Sequence, residues 1–169
     1  MGRGYRVSHT ISPAGLHLIA GFEGWVPTWY RDSGGVETIG YGHTGPLPAA
    51  MHPPLTLTEG LELLRMDAAT AQHSVNAGVR VSLGVYPERA QARFDALVSL
   101  TYNIGGGAFS ASSLLHAINE KGAPRDWHDC APLLLEWDHV GGAVVAGLLR
   151  RRKIEAALFV SGQYPRNVT

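Results

Sequence analysis

Between Ser12 and His43 the chain changes its periodicity, and that change restricts the fold more than any other feature. Ser12-Pro13 reads as a helix N-cap followed by proline at the first helical position, where its missing N–H costs nothing. Leu16, Ile19, Ala20 and Glu23 then fall at i, i+3, i+4 and i+7, one stripe of a helix, and Gly24 is a natural stop. From residue 28 the pattern becomes strand-like, with TWYRD and VETIGYGH joined around Ser33-Gly34-Gly35. A proline-rich loop, Pro46–Pro54, follows, and beyond it every signal is helical. Thr56-x-x-Glu59 predicts a capping box, opening a helix through Leu63, Leu64, Ala68 and Ala71 toward Val75. A break at Gly84–Pro87 precedes an apolar segment (Phe94, Leu97, Val98, Thr101, Tyr102, Ile104) that ends at Gly105-Gly106-Gly107. Shorter helices are expected at 111–120, 125–137 and 147–160. The expected class is α+β: a small lobe with a β-hairpin, about 24–66, and a mostly helical lobe built from about 12–23 and 67–164. Together they form a single domain over 1–169.

The chain is long enough to bury a core without covalent staples. Its 14 basic and 14 acidic residues cancel, so bulk charge offers no attraction to nucleic acid or a membrane surface. Cys130 is the only cysteine, which rules out an intramolecular disulfide. The N-terminal stretch carries two arginines but no apolar core segment behind them, and no run of about 18 apolar residues exists. Synthesis in the cytosol is therefore expected, with export left to another agent.

Glu23 shares its stripe with Leu16 and Ile19, so a carboxyl points toward a core. Loss of hydration there favours the neutral form, which a general acid needs. On position alone the commoner outcome is a glutamate at a frayed helix end, reaching water. Asp32 follows nine residues later beside the glycine turn, where aspartate is also ordinary turn chemistry. Thr38 comes six residues after that. Strand alternation predicts Thr38, Gly40 and Gly42 on one face, with Glu37, Ile39, Tyr41 and His43 on the other. The first face is nearly bare of side chains, which suits close approach of a sugar ring. Parity also removes Glu37 from consideration as a catalytic carboxylate.

Glu, Asp nine later, Thr six later, then Gly-x-Gly-His resembles the signature of phage-type lysozymes, family 24 of the glycoside hydrolases. TLTEGLELLRMD (56–67) is similar to the capped helix linking the family's two lobes. FDALVSLTYNIGGGAF (94–109) resembles its central buried helix, and GLLRRRKIEAALF (147–159) its closing helix. The resemblance covers nearly the whole chain, from about 12 to 164. It implies a lysozyme-like fold with the active-site cleft between the lobes. It implies Glu23 as general acid, Asp32 as second carboxylate and Thr38 as a hydroxyl that positions water. The implied reaction is inverting hydrolysis of the β-1,4 bond between N-acetylmuramic acid and N-acetylglucosamine. Opposed carboxyls about 6.5–9.5 Å apart would leave room for the attacking water. An endolysin role in host lysis follows, with holin-dependent release, action as a monomer on peptidoglycan, and no cofactor.

Supporting residues come partly from the same resemblance. Arg151 is expected to approach Glu23, although Arg150-Arg151-Arg152 also reads as a solvated face or a basic patch. With no net charge and no neighbouring basic cluster, a nucleic-acid partner is not expected. Tyr102 and Asn103 match a cleft-lining position, and Asn103 would also serve as a helix cap. Resemblance pairs His43 with Asp67 as structural support beside Gly40 and Gly42. His128, Asp129 and Cys130 are adjacent and share no helix face, so no metal site is expected. The competing function is a lysozyme-like domain that binds peptidoglycan as a scaffold, and within the enzymes a transglycosylase forming an anhydro-sugar.

Overall fold

The computed structural model describes residues 8–120 and 127–165. Helix α1 spans Pro13–Glu23, capped by Ser12, whose side chain accepts the Gly15 N–H; Gly24 ends it at φ 77°. A three-stranded antiparallel sheet follows in the order β1 (Val26–Arg31), β2 (Glu37–Gly40) and β3 (His43–Thr44). Helix α2 (Leu57–Asp67) opens on the expected capping box at Thr56 and Glu59. The remaining helices are α3 (Ala69–Gly78), α4 (Pro87–Ile104), α5 (Gly106–Ser110), α6 (Ser113–Asn119), α7 (Ala131–Leu135) and α8 (Ala146–Ser161).

Two hydrophobic clusters organise these elements. The small one joins Ile39, Met51, Leu55 and Leu63, with Trp25 and Leu47 packed on it. The large one surrounds α4, where every residue from Ala92 to Thr101 is buried. Helix α2 serves both, because Leu63 faces the small cluster and the next residue, Leu64, faces the large one. Pro87 starts α4 where its lack of an N–H is harmless, and Gly105 closes it at φ 87°. Asp95, fully buried in α4, ties three distant segments together. It accepts Ser12 N–H at 3.1 Å, Gln91 Nε2 at 2.9 Å and the Tyr164 hydroxyl at 2.5 Å, and Ser12 Oγ also donates to it.

Four expectations need correction. The helix predicted from Thr56 toward Val75 is two helices divided at Ala68, a buried residue that caps α2 and starts α3. The second predicted strand stops at Gly40, where φ reaches 70°, and Gly42 at φ 88° turns the chain into β3. The helix expected at 125–137 is a 3₁₀ turn, Trp127–Cys130, followed by the short α7, and residues 125–126 lie outside the described residues. The stretch after the proline-rich loop is not wholly helical, because β4 (His139–Val140) and β5 (Ala143–Val144) form a hairpin before α8. Gly141 at φ 58° and Gly142 at φ 84° make its tight turn, which the Gly-Gly dipeptide between Val140 and Ala143 announces in the sequence.

Candidate functional site

Glu23 occupies the last turn of α1, at the polar end of a stripe whose Leu16, Ile19 and Ala20 are buried. Its side chain is 25% exposed, so it is neither in the core nor free in solvent. Arg151 Nη1 donates to Glu23 Oε1 at 2.6 Å across 128 positions of sequence. The other oxygen, Oε2, lies 4.0 Å from where a Cβ on Gly42 would stand. The carboxylate is thus gripped by α8 on one side and bounded by the β2–β3 turn on the other.

Arg151 is itself immobilised. Its Nε donates to Glu155 Oε1 at 3.1 Å, its Nη2 donates to the Ser99 carbonyl at 3.1 Å, and its guanidinium lies 4.7 Å over the Phe22 ring. Arg151 and Arg152 are buried, so the reading of Arg150-Arg151-Arg152 as a solvated face holds for Arg150 alone, which is exposed. Arg152 Nε stands 2.7 Å from Glu155 Oε2. Ser99 Oγ donates to Glu155 Oε1 at 2.6 Å. Burial pushes the Glu155 carboxyl up, and Arg152 and Arg151 oppose that push. Glu155, Ser99 and Phe22 were not singled out from the sequence. For Glu155 a signal exists, since it follows Arg151 by four residues and Arg152 by three, the spacings that bring helical side chains together.

Tyr102 is half-buried near this group. Its hydroxyl is held above the usual phenol range by burial, with the Glu23 and Asp67 carboxylates adding to the effect. Asn103 is exposed, one residue from the end of α4. His43 Nδ1 meets both Asp67 oxygens, at 2.9 and 3.0 Å, which joins β3 to the end of α2. The pairing implied by resemblance is therefore present.

The sheet side is built differently. Asp32 is exposed at the end of β1, and its Oδ1 accepts Gly34 N–H at 2.9 Å and Val36 N–H at 2.8 Å. That is an Asx-turn, with Oδ2 left without a hydrogen bond among the described residues. Thr38 is 3% exposed, lies opposite Tyr30 in the β1–β2 ladder, and donates its hydroxyl to the Val36 carbonyl at 3.0 Å. Directly opposed residues share a face, so Tyr30 and Thr38 point to the same side of the sheet, and Asp32 stands just past the end of β1 in the turn. Glu37 is exposed on the other side and pairs loosely with Arg31 at 3.6 Å.

The bare face expected of Thr38, Gly40 and Gly42 does not exist as one surface. A Cβ on Gly40 would lie 3.8–3.9 Å from Trp25, Leu55 and Leu63, inside the small cluster. Gly40 is there for its positive φ and for packing, and only Gly42 borders Glu23. Elsewhere, Cys130 is buried and its thiol is pushed up to about 11 by burial, with Asp129 adding, while His128 and Asp129 are exposed. The described residues hold no group of three or more His, Cys, Asp or Glu placed to share a metal ion. A cavity of about 490 Å³ lined by residues that include His9, Arg80 and Phe94 touches none of the residues around Glu23.

Comparison with known proteins joins these features. A family model described as "Phage lysozyme" matches residues 20–155, which include Glu23, Asp32, Thr38 and Arg151. An endolysin of Bacillus phage PZA is 38% identical over 161 residues, 94% of this chain and 58% of the relative. The endolysin of Salmonella phage P22 is 35% identical over 154 residues, 89% of this chain and 98% of the relative. The chain spans just over half the length of the two Bacillus phage endolysins it matches, 58% and 55%. Among solved structures, an endolysin from Escherichia coli O157:H7 phage FAHEc1 superposes with a TM-score of 0.79 at 30% identity. It covers 96% of this chain and 100% of its own. A mutant P22 lysozyme gives 0.77 at 34% identity, covering 90% and 99%. With the sheet, the linking helix, the central helix and the Arg151–Glu23 contact all inside the matched span, the chain belongs to the phage lysozyme family and has the α+β, lysozyme-like fold.

Proposed function

We propose that this chain is a muramidase that hydrolyses the β-1,4 bond between N-acetylmuramic acid and N-acetylglucosamine in bacterial peptidoglycan, with inversion, as an endolysin in host lysis. The observation that carries the reading is the placement of Glu23: a half-buried carboxyl at the junction of helix and sheet, oriented by Arg151 at 2.6 Å and bounded by a glycine. Such a group can hand a proton to the leaving glycosidic oxygen. Asp32 is the opposed carboxylate. Its Oδ1 is fixed by two backbone N–H groups while Oδ2 remains available to water. Thr38 follows on β2, bonded to Val36 of the same turn, and rotation of its hydroxyl away from Val36 would let it hold the attacking water beside Asp32. This division of labour is the inverting arrangement, in which acid and base flank a water. Tyr102 and Asn103 line the same cleft and bind substrate; His43 supports it through Asp67.

The relatives' names say "endolysin", which supports the role in lysis. Release through a membrane lesion made by a separate holin, and action as a monomer, belong to the same proposal. Among the described residues, no helix is long and apolar enough to cross a membrane.

The test is digestion of purified peptidoglycan by wild type and Glu23→Gln, with the released muropeptides identified by mass spectrometry. Reducing N-acetylmuramic ends from wild type and none from a folded Glu23→Gln are expected. Near-normal hydrolysis by the variant would sink the mechanism. Anhydro-muramic ends would make the enzyme a transglycosylase, and binding without cleavage by wild type would make it a scaffold.

A further inference from the structure

Four charges alternate from the partly exposed Glu23 into the core: Glu23, Arg151, Glu155 and Arg152. Each adjacent pair is in contact, at 2.6, 3.1 and 2.7 Å. Exposure falls along it from 25% at Glu23 to 6% at Arg151 and 0% at Glu155 and Arg152. A fully buried guanidinium and a fully buried carboxylate are costly unless each faces an opposite charge. Arg152 keeps its positive charge at any working pH, and Glu155 is the only carboxylate in contact with it among the described residues. Arg151 has two anionic partners, one in the cleft and one in the core.

This arrangement answers a problem in the proposed chemistry. A lone guanidinium against a general acid would favour the acid's ionised, inactive form. Glu155 offsets that charge from behind while fixing the direction in which Arg151 points. Resting on the reading of Glu23 as the acid, we propose that Glu155 is a positioning residue: through Arg151 it orients the Glu23 carboxyl, and its negative charge offsets the Arg151–Arg152 pair so that Glu23 can hold a proton. Other titratable groups also stand around Glu23. From α4 comes the Tyr102 hydroxyl, within electrostatic reach of Glu23 and Asp67. From the sheet side comes the Gly42 turn, and the Asp67 carboxylate at the end of α2 is hydrogen-bonded to His43. Ser99 completes the device, because its hydroxyl holds Glu155 and its carbonyl holds Arg151.

The signs differ for the two buried partners, and that separates tuning from mere support. Removing the negative charge in Glu155→Gln leaves two cations near Glu23, so the proton leaves at lower pH. The basic limb of the kcat profile should move down by about one pH unit. Removing a positive charge in Arg152→Gln should move the same limb up by a similar amount. In Glu155→Gln, kcat at its optimum should also fall about tenfold or more, with KM changed less than about twofold, because Arg151 loses an anchor. The experiment is the pH dependence of kcat and KM on purified peptidoglycan for these variants, with folding checked by near-UV circular dichroism. The charge-neutral double variant Glu155→Gln/Arg152→Gln carries the test where a single variant fails to fold. It should return the limb to the wild-type position with kcat still low. A folded Glu155→Gln or double variant with wild-type kcat and limb overturns the proposal, as do limbs displaced in the same direction by both single changes. Glu23→Gln in the same assay keeps the two readings apart, since its retained activity would overturn the role of Glu23 rather than that of Glu155.

Discussion

The two halves of the site are held by opposite strategies. On the helical side, Glu23 depends on Arg151, which depends on Glu155, Ser99 and Phe22, and those groups come from α1, α4 and α8. On the sheet side, Asp32 is placed by N–H groups two and four residues away, and Thr38 bonds to a carbonyl two residues back. Glu23, the proposed acid, is therefore fixed by the tertiary fold, and Asp32 and Thr38, the proposed water-activating side, by a turn. An acid needs a defined environment to control its proton, which only buried partners can give. A carboxylate that should stay ionised is best left wet, and a local turn provides that cheaply.

Four substitutions probe this contrast, from the largest expected effect to the smallest. Arg151→Met should cost about 3 kcal/mol of stability, the low end for a broken buried pair because Arg152 still faces Glu155. It should also lower hydrolysis severely, so that chemical denaturation and activity report together. Loss of activity at unchanged stability would show that the network is not part of the fold's support. Asp32→Asn should separate the two properties. The amide oxygen can still accept from Gly34 and Val36, so the melting temperature should stay nearly constant. Lytic activity should nevertheless drop about 10²–10⁴-fold, since the proposed general base is gone. A large drop in melting temperature would break the claim that this half is local.

Gly60→Ala tests the small cluster beneath the sheet. A Cβ there would lie 2.1 Å from the Trp25 ring, which overpacking should convert to a loss of about 1–3 kcal/mol. If the sheet half depends on its turn rather than on that cluster, kcat at a temperature well below melting should change little. Thr56→Ala removes the capping box of α2 and should cost about 1 kcal/mol with no change in kcat or KM. Any effect of this cap on the pH profile would mean that α2 couples the two halves more tightly than the contacts indicate.

What the sequence exposes follows the same division. The Ser12 cap, the capping box, the glycine end of α4 and the Asp32 turn rest on contacts within four residues, and all are legible as short patterns. The hairpin around Gly141-Gly142 was equally local and was missed because the surrounding signals were read as helical. Gly40 shows the limit of parity. Alternation holds only while φ stays extended, and a positive φ reassigns everything after it. The division at Ala68 was hidden because α2 and α3 are both helical and apolar periodicity runs through the junction.

The sequence by itself determined most of the elements, the small sheet within a helical chain, and the spacing of the three candidate residues Glu23, Asp32 and Thr38. It did so because caps, turns and periodicity are fixed by neighbours. Tertiary structure alone decided that Arg151 turns inward to Glu23, that Glu155 and Arg152 are fully buried behind it, and that Gly40 packs a core while Gly42 borders the site. Those outcomes depend on which surfaces lose water when α1, α4 and α8 come together. A charge's partner and burial are properties of that assembly rather than of any stretch of chain.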